Sequence, residues 1–294
     1  MYALDLLTSA TGPSWMKDRR WDFASSRIAR HRGFSSRTAY TVRGVVSIIM
    51  FYCAVDILDT CIKGIPFDTL LRRPVTDALP LSQQLFCGVV VGMWAYIYMS
   101  LYYTLFATSF VALRFTAPSS WPPLYKGPLF ASSVQDFWSV RWHLFFRQCF
   151  TRLGNSLLSA FFTVDDIKAS KGVVRVARVW LAFVMSTLLH LIIMHRHPPD
   201  PDHPHHDFWD WSIMAFFLSQ PLGIALDGCL VYAGAGSRCR RLFAWVWFLW
   251  TSRWWADVWV KKGLWDRRTE RFVFWSPSRG ILFGDWWADE VVYI

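Results

Sequence analysis

Charged side chains are scarce in this chain. Aspartate, glutamate, lysine and arginine make up 18% of its 294 residues, whereas soluble domains average about 25%. Hydrophobic residues reach 54%, with 19 tryptophans and 24 phenylalanines, and they cluster in long runs. Low charge together with long apolar runs excludes an ordinary soluble domain and predicts a multi-pass membrane protein.

Other chemical signatures are also missing. The six cysteines form no C-x-x-C pair and most lie in or beside apolar runs, so we expect reduced thiols rather than a disulfide framework. No internal repeat of the kind found in secondary transporters is present. The first 37 residues lack a continuous apolar core. We therefore expect no cleavable signal peptide, and the first transmembrane helix would direct targeting.

The formal charge of +10 does not indicate nucleic-acid binding. The lysines and arginines flank the apolar runs, which is typical of contact with anionic lipid headgroups. The expected partner of this surface is therefore the lipid bilayer and not a nucleic acid.

The apolar runs predict an all-α integral membrane protein that forms one multi-pass domain over residues 1–294. About five spans are expected, at residues 41–58, 85–113, 173–194, 208–232 and 242–260. Residues 145–162 read as an interfacial or re-entrant helix, residues 1–40 as a basic interfacial segment, and residues 264–294 as a tail. Asp56 and Asp227 lie near the ends of two spans and are expected at the membrane boundary, with a buried position beside a partner as the alternative.

The distribution of lysine and arginine predicts the orientation. Residues 1–40, 114–172 and 233–241 are basic and are placed in the cytosol, whereas loop 196–207 is placed in the lumen. With five spans the basic tail would then fall on the lumenal side, which contradicts the same rule. Either the last predicted helix does not cross the membrane, or the number of spans differs by one.

One stretch, Asp136-Phe137-Trp138-Ser139-Val140-Arg141-Trp142-His143, combines polar and aromatic residues between apolar segments. Ser133 and Asp136 have the spacing of a capping box, which predicts a helix that begins near Val134. A regular α-helix would place on one face Trp138, Trp142, Phe145 and Cys149. It would place on the opposite face Asp136, His143 and Arg147. This polar face either meets water at a membrane surface or forms part of a functional site.

The run Phe-Trp-x-x-Arg-Trp-His resembles the signature of the membrane-bound O-acyltransferase superfamily, in particular its wax-synthase-domain branch. That family pairs the motif with a second histidine in a later apolar helix, and His190 is the candidate here. The resemblance extends over roughly residues 3–263, with the catalytic region at 134–263. Where the family normally carries Arg-Gly-Ile-Gly-Trp, this chain has Ala10-Thr11-Gly12-Pro13-Ser14-Trp15. If the resemblance holds, the chain would lack the family's early helices.

His190 lies about eleven residues into the apolar run that begins at Val179. That is roughly 16 Å along a helix, near the midplane of a ~30 Å hydrocarbon core. An ionisable group at this depth is costly, so it indicates either function or a neutral histidine bonded to a neighbouring helix. Ser186 and Thr187 lie one turn earlier on the same face and leave room for a substrate. The upstream motif favours the functional alternative.

The resemblance implies acyl transfer from an acyl-CoA thioester to an alcohol, with His190 and His143 as catalytic residues. Imidazole suits the base that takes the hydroxyl proton, because its ordinary pKa of about 6.5 is close to working pH. We assign this role to His190, and by resemblance His143 steadies the oxyanion or the thioester. Without a Gly-x-Ser-x-Gly elbow, direct transfer is favoured over an acyl-enzyme. The residues expected to contact the substrates are Asp136, Trp138, Arg141, Trp142, Arg147, Ser186 and Thr187.

The resemblance also implies the substrates. We expect a lipophilic alcohol, such as a terpenoid or meroterpenoid intermediate of specialised metabolism, acetylated in the endoplasmic reticulum membrane. The alternatives are a long-chain wax ester synthase and, in another class, a truncated, non-catalytic membrane paralogue. Acyl-CoA, and within that class acetyl-CoA, is the only co-substrate expected, with no permanently bound cofactor. No metal is expected either, because the histidine- and proline-rich tract 195–206 has no helical i, i+4 ligand pair of the H-E-x-x-H kind.

Overall fold

The computed structural model describes residues 36–64, 75–121, 123–142, 171–196, 208–262, 273 and 275–287, with positions 150, 153, 154 and 156–159. In these ranges the chain is helical apart from connecting turns and an isolated antiparallel bridge between Trp275 and Trp287. The predicted all-α fold is confirmed. Most of the basic interfacial segment predicted at 1–40, most of the interfacial or re-entrant helix predicted at 145–162, and loop 197–207 lie outside the described residues.

Eight α-helices are described along the chain. They are α1 (Arg37–Gly64), α2 (Val75–Ala78), α3 (Leu81–Ala112), α4 (Val134–Asp136), α5 (Lys171–Arg196), α6 (Trp211–Tyr232), α7 (Ser237–Lys261) and α8 (Pro277–Phe283). A π-helical turn, Phe137–Arg141, follows α4 directly. The proline-rich stretch before α4 forms two 3-10 turns, Pro118–Ser120 and Pro128–Phe130.

Four of these helices are long and apolar enough to cross a membrane. The spans are Arg37–Ile62 in α1, Leu81–Ala112, Gly172–Arg196 in α5, and Trp211–Tyr232. They coincide with four of the five predicted spans, and they make the chain an integral membrane protein. The fifth predicted span lies in α7. This helix has 25 residues, but it is not among the four helices that are apolar enough to cross a membrane. Six tryptophans, Arg253 and Asp257 make this helix less apolar.

The described residues group into two compact units, and the boundary between them falls within the long helices. The first unit contains the described residues within the ranges 36–45, 105–189 and 217–247. The second contains Val46–Thr104, His190–Phe216 and Phe248–Ile294. Each unit has its own packing and its own polar contacts.

In the first unit, glycines let helices approach closely. A Cβ added to Gly44 of α1 would overlap the side chain of Thr108 in α3, and one added to Gly223 of α6 would overlap the indole of Trp247 in α7. Small residues at such contacts allow membrane helices to pack without a hydrophobic driving force. These two positions therefore fix helix pairs that larger residues would separate.

Asp227 corrects one of the sequence predictions. It is 2% exposed rather than open to the membrane boundary, and Arg240 of α7 donates to both of its carboxylate oxygens at 2.9 and 2.8 Å. A planar guanidinium can satisfy both oxygens at once, which offsets the cost of burying the carboxylate. The pair joins the end of α6 to the start of α7.

The second unit has an aromatic core. Trp94 of α3 stacks on Tyr98, with ring centroids 4.7 Å apart, and meets the edge of Trp259 at 4.7 Å. Trp94 is 1% exposed, and such aromatic pairs contribute about 0.5–1.5 kcal/mol beyond the area they bury. The rings therefore anchor α7 against α3.

In this unit, buried charged side chains are hydrogen-bonded to polar partners. Asp257 of α7 accepts hydrogen bonds from the backbone N–H of Thr76 at 3.1 Å and from its hydroxyl at 3.0 Å. Arg253 donates to Gln84 at 2.8 Å. Asp56 is also buried, at 1% exposure, and not at the predicted membrane boundary.

Candidate active site

The motif segment begins as the sequence predicts. Ser133 has extended backbone, and its hydroxyl accepts the N–H of Asp136 at 2.9 Å, so it caps a helix that starts at Val134. This helix, α4, lasts for only three residues. The predicted start is therefore confirmed and the predicted length is not.

The chain widens into a π-helical turn after Asp136. The N–H of Trp142 bonds to the carbonyl of Phe137 at 2.9 Å, which is the i to i+5 spacing of a π-helix. Trp142 then has extended backbone, with φ −93° and ψ 134°. The predicted α-helical faces, with Trp138 and Trp142 on one side and Asp136 on the other, are wrong over this segment. Single π-turns are frequently found at functional sites, so the π-turn is consistent with a functional role of this segment.

An ion pair closes the turn. Arg141 Nε donates to Asp136 Oδ2 at 2.7 Å, and Arg141 Nη1 donates to the carbonyls of Lys126 and Gly127 at 3.2 and 3.1 Å. The same carboxylate oxygen accepts the N–H and the hydroxyl of Ser132 at 2.9 and 3.0 Å. The contacts of both side chains thus tie the loop before α4 to the end of the π-turn.

The electrostatics of this pair favour the charged carboxylate. Burial by itself raises the pKa of Asp136, but the hydrogen bonds from Ser132 and the hydrogen bond and charge of Arg141 lower it by more. The net pKa of Asp136 therefore lies below its ordinary value. The pair stays ionised at neutral pH.

Within the first unit, Trp138 is held by aromatic contacts and by a hydrogen bond. Its ring meets Phe183 of α5 edge-on at 5.6 Å, and its Nε1–H donates to Oε1 of Gln220 in α6 at 3.1 Å. Phe137 stacks on Trp142 at 5.2 Å with an interplanar angle of 18°. The π-turn is therefore fixed to two membrane helices through Trp138.

Around His190, exposed and buried side chains alternate along α5. Val184, Leu188 and Ile192 are exposed apolar side chains spaced four residues apart. The side chains of Phe183, Ser186, Thr187, Leu191 and Met194 are buried, and we call their side of the helix the inward side. At 100° per residue, His190 lies about 200° from Leu188 and thus between the buried positions, although Ile193 nearby is 48% exposed. The imidazole of His190 is half-buried.

Ser186 and Thr187 belong to the same inward side, as predicted. They are 7% and 4% exposed, and the hydroxyl of Thr187 donates to the carbonyl of Phe183 at 2.8 Å. The Thr187 hydroxyl is therefore used within the helix. Its small side chain keeps the turn before His190 narrow.

In the second unit, the imidazole of His190 meets Trp255 of α7 at a centroid distance of 5.5 Å and an angle of 85°. Trp255 in turn stacks on Phe216 of α6 at 5.5 Å and meets Trp259 at 5.8 Å. An edge-to-face ring contact restricts the rotation of the imidazole. A general base needs such a fixed direction toward the proton it accepts.

Two of the predicted site residues, His143 and Arg147, lie outside the described residues. Among the others, the structure joins Asp136 to Arg141 in the loop, and it places Ser186 and Thr187 on the inward side of α5. In the part of the chain that the structure describes, no group of three or more histidine, cysteine, aspartate or glutamate side chains could hold a metal ion.

Among the residues that contact the predicted ones, Gln220, Trp255 and Phe183 were not predicted from the sequence. Gln220 carried a usable signal, since a polar side chain inside an apolar span is costly and therefore informative. It is fully buried. Trp255 and Phe183 carried none, because both are aromatic residues in helices rich in aromatic residues.

Comparison with known proteins identifies the class of this segment. Residues 121–219 match the model of the Membrane bound O-acyl transferase family. The acetyltransferase sirH of Emericella nidulans is 27% identical over 153 residues, which are 49% of this chain and 32% of that protein. The acetyltransferase ataH of Aspergillus terreus is 27% identical over 225 residues, 71% of this chain and 68% of the relative. An acetyltransferase of Arthrobotrys oligospora is 26% identical over 254 residues, 79% of this chain and 50% of the relative.

No solved structure matches the chain. The chain spans about half the length of the curated relatives it matches. The family match nevertheless covers the Phe-Trp-x-x-Arg-Trp-His motif and the helix that carries His190. It confirms the resemblance that the motif predicted: over this segment the chain is similar to the membrane-bound O-acyltransferases, and the relatives it resembles are fungal acetyltransferases.

Proposed function

We propose that the protein is a membrane O-acyltransferase that transfers an acyl group, in the simplest case acetyl, from acyl-CoA to a hydroxyl of a lipophilic acceptor. The observation that carries this proposal is the family match over residues 121–219, which includes both His143 and His190. The inward position of His190 on a membrane-crossing helix supports it.

The chemistry needs few groups. The acceptor oxygen attacks the thioester carbonyl carbon while His190 takes the hydroxyl proton, and the resulting oxyanion is stabilised by a donor, for which we propose His143. The tetrahedral intermediate then collapses, the carbon–sulfur bond breaks, and the proton passes from His190 to the leaving thiolate. The products are the ester and free CoA, so no further reactant is required.

The donor and the acceptor are proposed from the relatives and from the resemblance. Relatives named acetyltransferases support acetyl-CoA as the donor. The acceptor we propose is a terpenoid or meroterpenoid alcohol of specialised metabolism, which would reach the site from the bilayer, and the membrane is that of the endoplasmic reticulum. Acyl-CoA acts as a co-substrate and not as a resident cofactor.

The test is an assay of membranes from cells that express the whole chain. Labelled acetyl-CoA and a labelled long-chain acyl-CoA are each supplied with terpenoid alcohols and with a fatty alcohol, and the products are identified by mass spectrometry. Acetyl esters of terpenoid alcohols are the expected products. Long-chain esters of the fatty alcohol would instead support a wax ester synthase. Ester formation no greater than that of membranes from cells without the protein would support the non-catalytic alternative and contradict the proposal.

A further inference from the structure

The tail contains a folded segment, residues 275–287, that has no role in the proposed chemistry. Helix α8 is capped at its start by Ser276, whose hydroxyl accepts the N–H of Arg279 at 3.1 Å, and ends at Gly284 in the left-handed conformation with φ 78°. The N–H of Ser276 donates to the carbonyl of Trp286 at 2.9 Å. The two ends of this tail segment therefore meet, and the chain enters and leaves on one side.

The tail segment is attached to α1 along the part that crosses the membrane. The hydroxyl of Tyr52 donates to the carbonyl of Trp275 at 2.5 Å. Asp56 accepts the N–H of Ser278 at 2.8 Å and the hydroxyl of Ser276. The attachment thus uses two polar side chains that lie one helical turn apart on α1.

The depth of these contacts follows from the length of the span. The span of α1 runs over 26 residues to Ile62, so it is about 39 Å long, against about 30 Å for the hydrocarbon core. Asp56 lies about 9 Å and Tyr52 about 15 Å before Ile62. For a centred span, both residues lie inside the hydrocarbon core, about 5 and 10 Å from its boundary. The tail segment is therefore held at membrane depth.

The burial pattern of the tail segment is the reverse of a water-soluble loop. Its polar residues Ser276 and Arg279 are buried, at 0% and 7% exposure. Its large exposed side chains are apolar: Trp275, Ile281, Leu282, Phe283, Trp286 and Trp287, with Ile281 at 76% and Phe283 at 71%. Tryptophan is enriched where the bilayer meets water. The one charged side chain exposed beside them is that of Asp285.

We propose that residues 275–287 form a shallow re-entrant element whose exposed apolar side chains on α8, Ile281, Leu282 and Phe283, face lipid acyl chains, while Asp285 and the tryptophans after α8 lie toward the headgroups. Its polar side supplies Asp56 with hydrogen bonds that this carboxylate could not obtain from lipid. With seven residues, α8 is too short to cross the membrane. The lipid contact thus adds to the four spans rather than extending one of them.

The test measures lipid contact directly and does not depend on acyl transfer. The native cysteines are replaced, single cysteines are introduced by Leu282→Cys, Met50→Cys and Ser237→Cys, and each is labelled with bimane in liposomes. Met50 is 67% exposed at the middle of the α1 span and serves as the lipid-facing control. Ser237 is exposed at the start of α7, next to charged residues, and serves as the aqueous control.

Nitroxide-labelled lipids should quench the fluorophore at position 282 nearly as strongly as at position 50, and much more than at position 237. Adding Asp56→Ala should reduce quenching at position 282 and leave position 50 unchanged; Asp56→Asn serves if the alanine variant does not fold. Quenching at position 282 no stronger than at position 237 would overturn the proposal. That result would also be obtained if a second copy of the chain covered the patch.

Discussion

The ion pair between Asp136 and Arg141 closes the turn that leads into the motif histidine, and its contribution can be worked out from its contacts. Asp136 Oδ2 accepts three hydrogen bonds, two from Ser132 and one from Arg141 Nε at 2.7 Å. The substitution Asp136→Asn keeps the shape of the side chain and removes its charge. The hydrogen bond from Arg141 then becomes weaker, and the two hydrogen bonds from Ser132 no longer have a charged acceptor.

A hydrogen bond to a charged group contributes about 1.5–3 kcal/mol, against about 1 kcal/mol for a neutral one. The side chains of Arg141 and Asp136 are 24% and 18% exposed, so solvent screening reduces the difference. We expect Asp136→Asn to lower the free energy of unfolding by about 1 kcal/mol. In a chain of this size that corresponds to a fall in Tm of roughly 2–4 °C.

The dependence on pH follows from the direction of the shift. The pKa of Asp136 is lower in the folded protein than its ordinary value of 3.8. Because the pKa is lower in the folded state, the charged carboxylate stabilises the fold fully above the unfolded pKa. This stabilisation is lost as pH falls through the folded pKa. The difference in Tm between the wild type and Asp136→Asn should therefore be constant near neutral pH and shrink below about pH 4.

The assay is thermal unfolding of the purified proteins in detergent micelles across this pH range. Asp77→Asn is the matched control, because Asp77 is an exposed aspartate in α2 and its removal should leave Tm unchanged. An Asp136→Asn protein with the Tm of the wild type at neutral pH would refute the reasoning. A loss of Tm that persists unchanged at low pH would refute the role of its charge.

Three further predictions concern the surroundings of the two histidines. Trp255→Ala should lower kcat because the imidazole of His190 loses its ring contact, whereas Trp255→Phe should retain most of it; equal kcat values for the two variants would contradict this positioning role. A double-mutant cycle of Gln220→Leu and Trp138→Phe, read from unfolding free energies, should give a coupling of about 1 kcal/mol, and a coupling near zero would contradict their hydrogen bond. Arg147→Ala should raise the KM for acyl-CoA more than it lowers kcat, as expected for a phosphate-binding arginine, and an unchanged KM would argue against that role.

Local patterns predicted local structure well. The spacing of Ser133 and Asp136 correctly placed the start of α4, because the N-cap hydrogen bond closes within one turn. Four spans were found from apolar length alone, since hydrocarbon thickness fixes that length. The inward side of α5 could be anticipated because it carries Ser186, Thr187 and His190.

The rest depended on contacts that are distant in sequence. The π-turn after Asp136 breaks the 3.6-residue period, and it is held by Arg141 and by the contact of Trp138 with Gln220, 82 residues away. Asp56 looked like a boundary residue because its partners Ser276 and Ser278 lie more than 200 residues later. No window of sequence contains both sides of such a contact.

In the proposed reaction, the protein transfers acyl groups with His190 as the base. The most direct test compares acyl transfer by His190→Ala with that by His195→Ala in membranes that hold equal amounts of each protein. His195 is an exposed histidine near the end of the same helix, so its removal controls for the loss of an imidazole from α5. The account predicts that His190→Ala lowers the rate by about 10²–10⁴, while His195→Ala keeps the wild-type rate. A His190→Ala protein that retains more than half of the wild-type rate would contradict the account.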